Sequence, residues 1–111
     1  MITKVFQEGE AGSCCYCSPG PVVAANGDVL IFCEARIEAH DYAPHHITYK
    51  RSSDGGMTWG ECRYLEGSCH GECYMNPVPV VDSKTGRMFL FYALAEQMLS
   101  SRVFYRYSDD N

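Results

Sequence analysis

The sequence is poor in basic charge, in tryptophan and in long apolar runs. Nine lysines and arginines stand against fourteen aspartates and glutamates, a formal net charge of −5, and the basic residues are scattered. With no basic stripe there is no electrostatic footprint for nucleic acid, which is excluded as the main partner. No apolar run approaches the roughly 20 residues that cross a bilayer, so no membrane span is expected. The opening Met1-Ile-Thr-Lys-Val-Phe-Gln-Glu-Gly-Glu has no uninterrupted apolar stretch, and no signal peptide is expected from it. Gly9, Gly12, Gly20 and Gly27 do not form a phosphate-cradling loop. A convincing amphipathic helix is also missing. The nearest candidate, residues 93–99, reads better as an excursion between blades of sheet.

What is present is the balance of one small globular domain: 111 residues, 46% hydrophobic and 21% charged. Seven cysteines are many, and the number is odd. A full disulfide framework prefers an even count and an oxidising compartment, so the thiols read as reduced, small apolar residues, leaning toward a cytoplasmic setting. Cys14-Cys15-x-Cys17 and Cys69-His70-Gly71-Glu72-Cys73, with His40, His45 and His46 between them, offer nitrogen and sulfur ligands. They lack the paired C-x2-C knuckles of a structural zinc site, and neither a metal nor another cofactor is expected. A nucleophilic pairing of Cys17 with a histidine has no local signature behind it.

The strongest organising feature is a repeat. Pro19-Gly20-Pro21-Val22-Val23 returns as Pro77-Val78-Pro79-Val80-Val81. Each copy leads through a turn signal, Asn26-Gly27 or Thr85-Gly86, into an apolar strand-like run, Val29–Cys33 or Met88–Tyr92. Further on, residues 47–54 are echoed by residues 103–110. Short β-rich segments repeating at this length indicate propeller blades rather than a helical solenoid, so the fold class is all-β. The first repeat is expected to span about residues 14–70 and the second about residues 71–111, breaking off inside the motif that ends the first. Two blades leave sheet edges and apolar surface open, so the chain reads as the front piece of a longer protein, with self-association through open blade edges as an accompanying expectation.

Ser52-Ser53-Asp54-Gly55-Gly56-Met57-Thr58-Trp59 has the pattern S-x-D-x-G-x-T-W. Asp54 can fold its carboxylate onto nearby backbone N–H groups, Gly56 tolerates a positive φ, and Trp59 packs apolar area under the turn. The pattern resembles the Asp-box, or bacterial neuraminidase repeat, of the sialidase superfamily, with Ser52, Asp54, Gly56, Thr58 and Trp59 as structural residues. Three more segments are similar to the mammalian-type branch of that superfamily. They are Tyr16-Cys17-Ser18-Pro19, Phe32-Cys33-Glu34-Ala35-Arg36 with Asp41 five residues on, and the stretch from Met75-Asn76-Pro77 through Asp82-Ser83-Lys84-Thr85-Gly86 to Phe89-Leu90-Phe91.

The resemblance implies two blades of a six-bladed propeller from an exo-α-sialidase, a glycoside hydrolase that removes terminal sialic acids from glycans. An arginine fork suits the sugar's carboxylate. The nucleophile of such enzymes is a tyrosine rather than a carboxylate. By position Asp41 matches the general acid/base and Arg36 a substrate-contacting arginine. Met75 and Asn76 match a segment lining the pocket, and Glu96 is a further candidate contact.

Cys17 departs from the pattern, because it stands where the first arginine of the carboxylate-binding triad belongs. Loss of one such desolvated partner costs on the order of 2–5 kcal/mol of binding. The other triad arginines, the tyrosine and its glutamate partner have no counterparts in these residues. The chain alone is therefore expected to be inactive. Two alternatives stay open: a non-catalytic Asp-box propeller that binds glycan or protein, and a hydrolase of the same fold acting on another sugar.

Overall fold

The computed structural model describes residues 1–65, 72–97 and 100–111, and only the backbone of residues 96 and 97. A short 3-10 turn, Glu10–Gly12, precedes seven strands: β1 (Cys15–Val23), β2 (Val29–Arg36), β3 (His45–Ser52), β4 (Arg63–Tyr64), β5 (Cys73–Val81), β6 (Met88–Gln97) and β7 (Ser100–Ser108). Strands β1 to β4 pair antiparallel in sequence order, as do β5 to β7. One parallel contact, His45 with Cys73, joins the two sheets. No helix among the described residues is long and apolar enough to cross a membrane.

The two sheets are built alike. In β1 the ladder shifts between Cys17 and Gly20, in β5 between Met75 and Val78. Each shift contains a residue in the left-handed region before proline, Ser18 at φ 53° and Asn76 at φ 55°. Each first hairpin closes on a positive-φ glycine, Gly27 or Gly86. The turns carry their own side-chain bonds: Asp28 N–H donates to Asn26 Oδ1, and the Thr85 hydroxyl donates to Asp82 Oδ2. Residues 93–97 differ from expectation. They extend β6 as strand rather than leaving the sheet, because the ladder with β7 continues from Ala93–Val103 to Gln97–Ser100 across one bulge.

The core lies between the blades. Leu30, Phe32 and Ile47 project from the front of the first sheet onto Met88, Leu90 and Tyr92 from the back of the second. Alternation along a strand forces this arrangement, since the residues on either side of Phe32 must point to the opposite face. Near the inner edge β1 and β5 come so close that a Cβ at Gly20 would stand 2.6 Å from the Pro77 carbonyl oxygen and 2.8 Å from Pro79 Cδ. On the back of the first blade the N-terminal segment is tied down by the Lys50 ammonium, which donates to the Val5 carbonyl and to Glu10. The Phe6 ring lies 4.9 Å from that of Tyr16, tilted by 31°.

At the far end of β3 the Asp-box forms the turn its residues suggest. Ser52 Oγ accepts from Gly56 N–H at 2.8 Å and donates to Asp54 Oδ1 at 2.7 Å. Thr58 gives Asp54 both its hydroxyl and its backbone N–H, at 2.5 and 2.9 Å. Gly55 and Gly56 take φ of 73° and 91°, and the half-buried Trp59 lies beneath Gly56. The second repeat begins the same turn, with Ser108 donating to Asp110 at 2.5 Å.

Two expectations follow from this packing. Gly20→Ala should wedge β1 away from two rigid prolines and cost about 1–3 kcal/mol, read as a lower urea midpoint. The hydrogen bonds from Thr58, then Ser52, hold Asp54 down at about 2, below its ordinary 3.8. The unfolded chain therefore takes up that proton first, so the box's contribution is complete above about pH 4 and is lost as pH falls toward about 2. Asp54→Asn should flatten that stretch of the acid unfolding curve followed by circular dichroism. Asp82, Asp109 and Glu10, also held low by their hydrogen bonds, contribute to the slope that remains.

Candidate functional site

The chemistry collects at the other end of the sheet, where β2 ends, β3 begins and β5 begins. Glu34 and Arg36 are two residues apart on β2 and so share the face turned toward the second blade. Cys17 lies opposite Glu34 in the β1–β2 ladder, and Cys15 opposite Arg36. Glu34 is 1% exposed. Its Oε2 accepts from Arg36 Nε and Nη2 at 3.0 and 2.7 Å, and its Oε1 accepts from the backbone N–H of Asn76 at 2.8 Å. The remaining arm of the guanidinium, Nη1, donates to Asp41 Oδ1 at 2.9 Å. Burial disfavours the charge on Arg36, but the bonds to Glu34 and Asp41 outweigh it and hold the guanidinium pKa above its ordinary value.

Asp41 and Glu34 are therefore two different carboxylates. Both oxygens of Glu34 are engaged and shut away from solvent. The side chain of Asp41 is 79% exposed, with one oxygen bonded to Arg36. Of the pair, only Asp41 is open to an incoming ligand.

Behind this pair stands a histidine that the sequence reading weighed only among possible metal ligands. His45 is fully buried, with Nε2 3.1 Å from the His40 carbonyl oxygen. A carbonyl can only accept, so Nε2 carries the proton and Nδ1 is bare. Cys73 Sγ lies 3.5 Å from Nδ1 and donates to the Asp41 carbonyl at 3.3 Å. Burial, helped by Arg36, pushes His45 down, and burial pushes the Cys73 thiol up. Burial thus favours the neutral forms of both imidazole and thiol, and the thiol hydrogen bond fixes the loop backbone at Asp41. Cys33, also buried, is pushed up to about 12.

The structure brings Arg36, Asp41 and the Asn76 backbone together, with Cys17 across the ladder from Glu34 and Met75 one residue before Asn76. The side chain of Glu96 lies outside the described residues, as do Cys69 and His70 of the cysteine–histidine cluster. Among the described residues no group of three or more histidine, cysteine, aspartate or glutamate side chains is arranged to hold a metal. Ser52, Asp54, Gly56, Thr58 and Trp59 sit around the opposite end of β3, a strand of eight residues, or about 25 Å. Glu34, His45 and Cys73 are the members of the cluster without an assigned role in the sequence reading. The two-residue step from Glu34 to Arg36 on a strand could have revealed the first; nothing local marks the others.

The buried, neutral His45 has a pH consequence. The unfolded chain binds the imidazole proton near pH 6.5 while the native chain resists it, so stability present above about pH 6.5 is lost as pH falls below it. Replacing His45 with Gln should remove part of the slope of urea midpoint against pH below about 6.5.

No family profile matches the chain. The sialidase of Micromonospora viridifaciens is 30% identical over 93 residues, which cover 80% of this chain and 14% of that protein. Human Sialidase-4 is 34% identical over 77 residues, 67% of this chain and 15% of that one, and mouse Sialidase-4 is 34% identical over 67 residues. The chain therefore spans only about a seventh of the length of these relatives. Among solved structures, the Hadza microbial sialidase Hz136 superposes with a TM-score of 0.75 at 23% identity, covering 89% of this chain and 24% of that one. The intramolecular trans-sialidase from Ruminococcus gnavus, solved in complex with oseltamivir carboxylate, gives 0.70 at 24% identity over 82% of this chain and 24% of its own. With the Asp-box, the paired bulges and the Glu34–Arg36–Asp41 cluster at the sheet end, these likenesses place the chain in the sialidase superfamily, as two blades of a β-propeller.

Proposed function

We propose that this chain supplies one wall of the sugar-binding cleft of an exo-α-sialidase, a glycoside hydrolase that releases terminal sialic acids from glycans. The observation that carries the reading is the exposed Asp41 carboxylate fastened to an Arg36 whose other two nitrogens are held by buried Glu34. A carboxyl group and a cationic contact are thereby oriented before any ligand arrives, as preorganised catalysis requires. In this reading Asp41 is the acid/base toward the glycosidic oxygen and Arg36 contacts the sugar. Met75 and Asn76 line the pocket, and Glu96 is a further contact from the end of β6.

The charges set a limit on what this wall does alone. Glu34 and Asp41 against Arg36 leave one negative charge, and Cys17 brings no cation, so this wall by itself holds a carboxylate sugar only weakly, through Arg36. The arginines that complete a carboxylate fork, a tyrosine nucleophile and its glutamate partner have no counterparts among these residues, and the chain alone should not hydrolyse a sialoside. Cys17 also supports a second reading, a cleft of the same fold for a sugar without a carboxylate, or one that binds glycan without cleaving it.

Amide NMR of the chain titrated with sialyllactose, and separately with lactose, tests the choice. Shifts at Arg36, Asp41 and Asn76 with sialyllactose and none with lactose are expected, with no turnover of a fluorogenic sialoside. The opposite preference favours the second reading. Cys17→Arg should tighten sialyllactose at least about tenfold, the effect of roughly 1.4 kcal/mol, and leave lactose unchanged.

A further inference from the structure

We infer that Glu34 is a positioning residue that couples the guanidinium of Arg36 in the first blade to the Met75–Asn76 bulge of the second. The role of the coupled groups rests on the sialidase-cleft reading; the coupling itself does not. One carboxylate reaches both sides: Oε2 holds two arms of Arg36, and Oε1 holds the Asn76 N–H. Asn76 stands at φ 55° in the break between Met75 and Val78, where the antiparallel ladder to β6 lapses. Its N–H takes a side-chain acceptor from the neighbouring blade instead, 42 residues away in the chain.

The repeat supplies an internal comparison. Ser18 occupies the same place in β1, at φ 53° and in the same kind of ladder break, and no carboxylate among the described residues accepts from it. The bulge conformation therefore forms without a glutamate. What Glu34 adds is a fixed direction for Asn76 relative to Arg36. At the position of Glu34 in the second repeat stands Ala93, opposite Met75 as Glu34 is opposite Cys17. The tether is thus a property of this one junction and not of the blade plan.

A tether of this kind has a mechanical signature. With both oxygens of a buried carboxylate committed, a change at Arg36 redistributes charge and tilts the group, and the Asn76 bond must respond. Loss of the carboxylate charge weakens both ends together, since charge-assisted hydrogen bonds are roughly twice as strong as neutral ones.

The test is amide NMR and hydrogen exchange on the ligand-free full chain, using Arg36→Lys, Glu34→Gln and the double variant. Arg36→Lys should displace the Asn76 amide resonance and lower its exchange protection about tenfold, with the amides of the Asp-box unmoved. Glu34→Gln should produce a comparable loss by itself, and Arg36→Lys on that background should add nothing further. An Asn76 amide indifferent to Arg36→Lys, or additive losses in the double variant, would overturn the coupling. Since every readout is taken without sugar, failure of the sialidase reading leaves this result standing. Where Glu34→Gln does not fold, Glu34→Asp replaces it, shortening the reach by one methylene so that the two ends compete. Release of Asn76 or Arg36 in that variant supports the coupling, and retention of both overturns it.

Discussion

The structure depends on the contact between the front of one sheet and the back of the next. A twisted sheet of a few strands has two faces and no way to bury either by itself. Here Leu30, Phe32 and Ile47 find cover in Met88, Leu90 and Tyr92, residues one step out of phase in the repeat, so that one blade's front meets the other's back. The same parity places Glu34 and Arg36 on the face turned to the second blade and brings the Asn76 bulge within reach of Glu34. The close approach at Gly20 follows from the same geometry, because inner strands converge where blades pack around a common axis. In the second blade the corresponding front, with Val78, Val80, Phe91, Val103 and Tyr105, stands exposed.

Much of this was legible before any coordinates. The duplicated Pro-x-Pro-Val-Val segments, the glycine turns and S-x-D-x-G-x-T-W each encode a local backbone geometry through residues that favour it, and all lie where their chemistry suggests. The Asp-box is the clearest case: its hydrogen bonds span four residues at most, so the spacing alone determines them. Arg36 and Asp41 were legible through a motif, five residues apart and joined by one bond.

The rest was hidden for a physical reason. Glu34 reads as a polar interruption in a strand until its partner is known, and that partner is a backbone N–H of the next blade. His45 and Cys73 meet through the one parallel contact between the sheets, which leaves no periodic trace. The extension of β6 through residues 93–97 was misread as an excursion because Ala-Leu-Ala-Glu-Gln carries helix-favouring residues. Pairing with β7 overrides that preference, as tertiary context commonly does.

The two repeats separate scaffold from chemistry. Where they agree, in the prolines of the inner strands, the turn glycines and the Ser–Asp pair at the start of each box, the residues serve backbone geometry common to both blades. Where they differ, the first blade has Glu34 and Arg36 and the second has Ala93 and Ala95 at the same ladder positions. Burying Glu34 carries a desolvation cost that alanine avoids, and that cost is offset only with all three of its hydrogen bonds made. A blade that needed only stability would do as well with alanine there, as the second blade does. The buried ion pair is therefore best understood through the exposed group at its end: it holds Arg36 in one orientation, and Arg36 holds Asp41 at the rim.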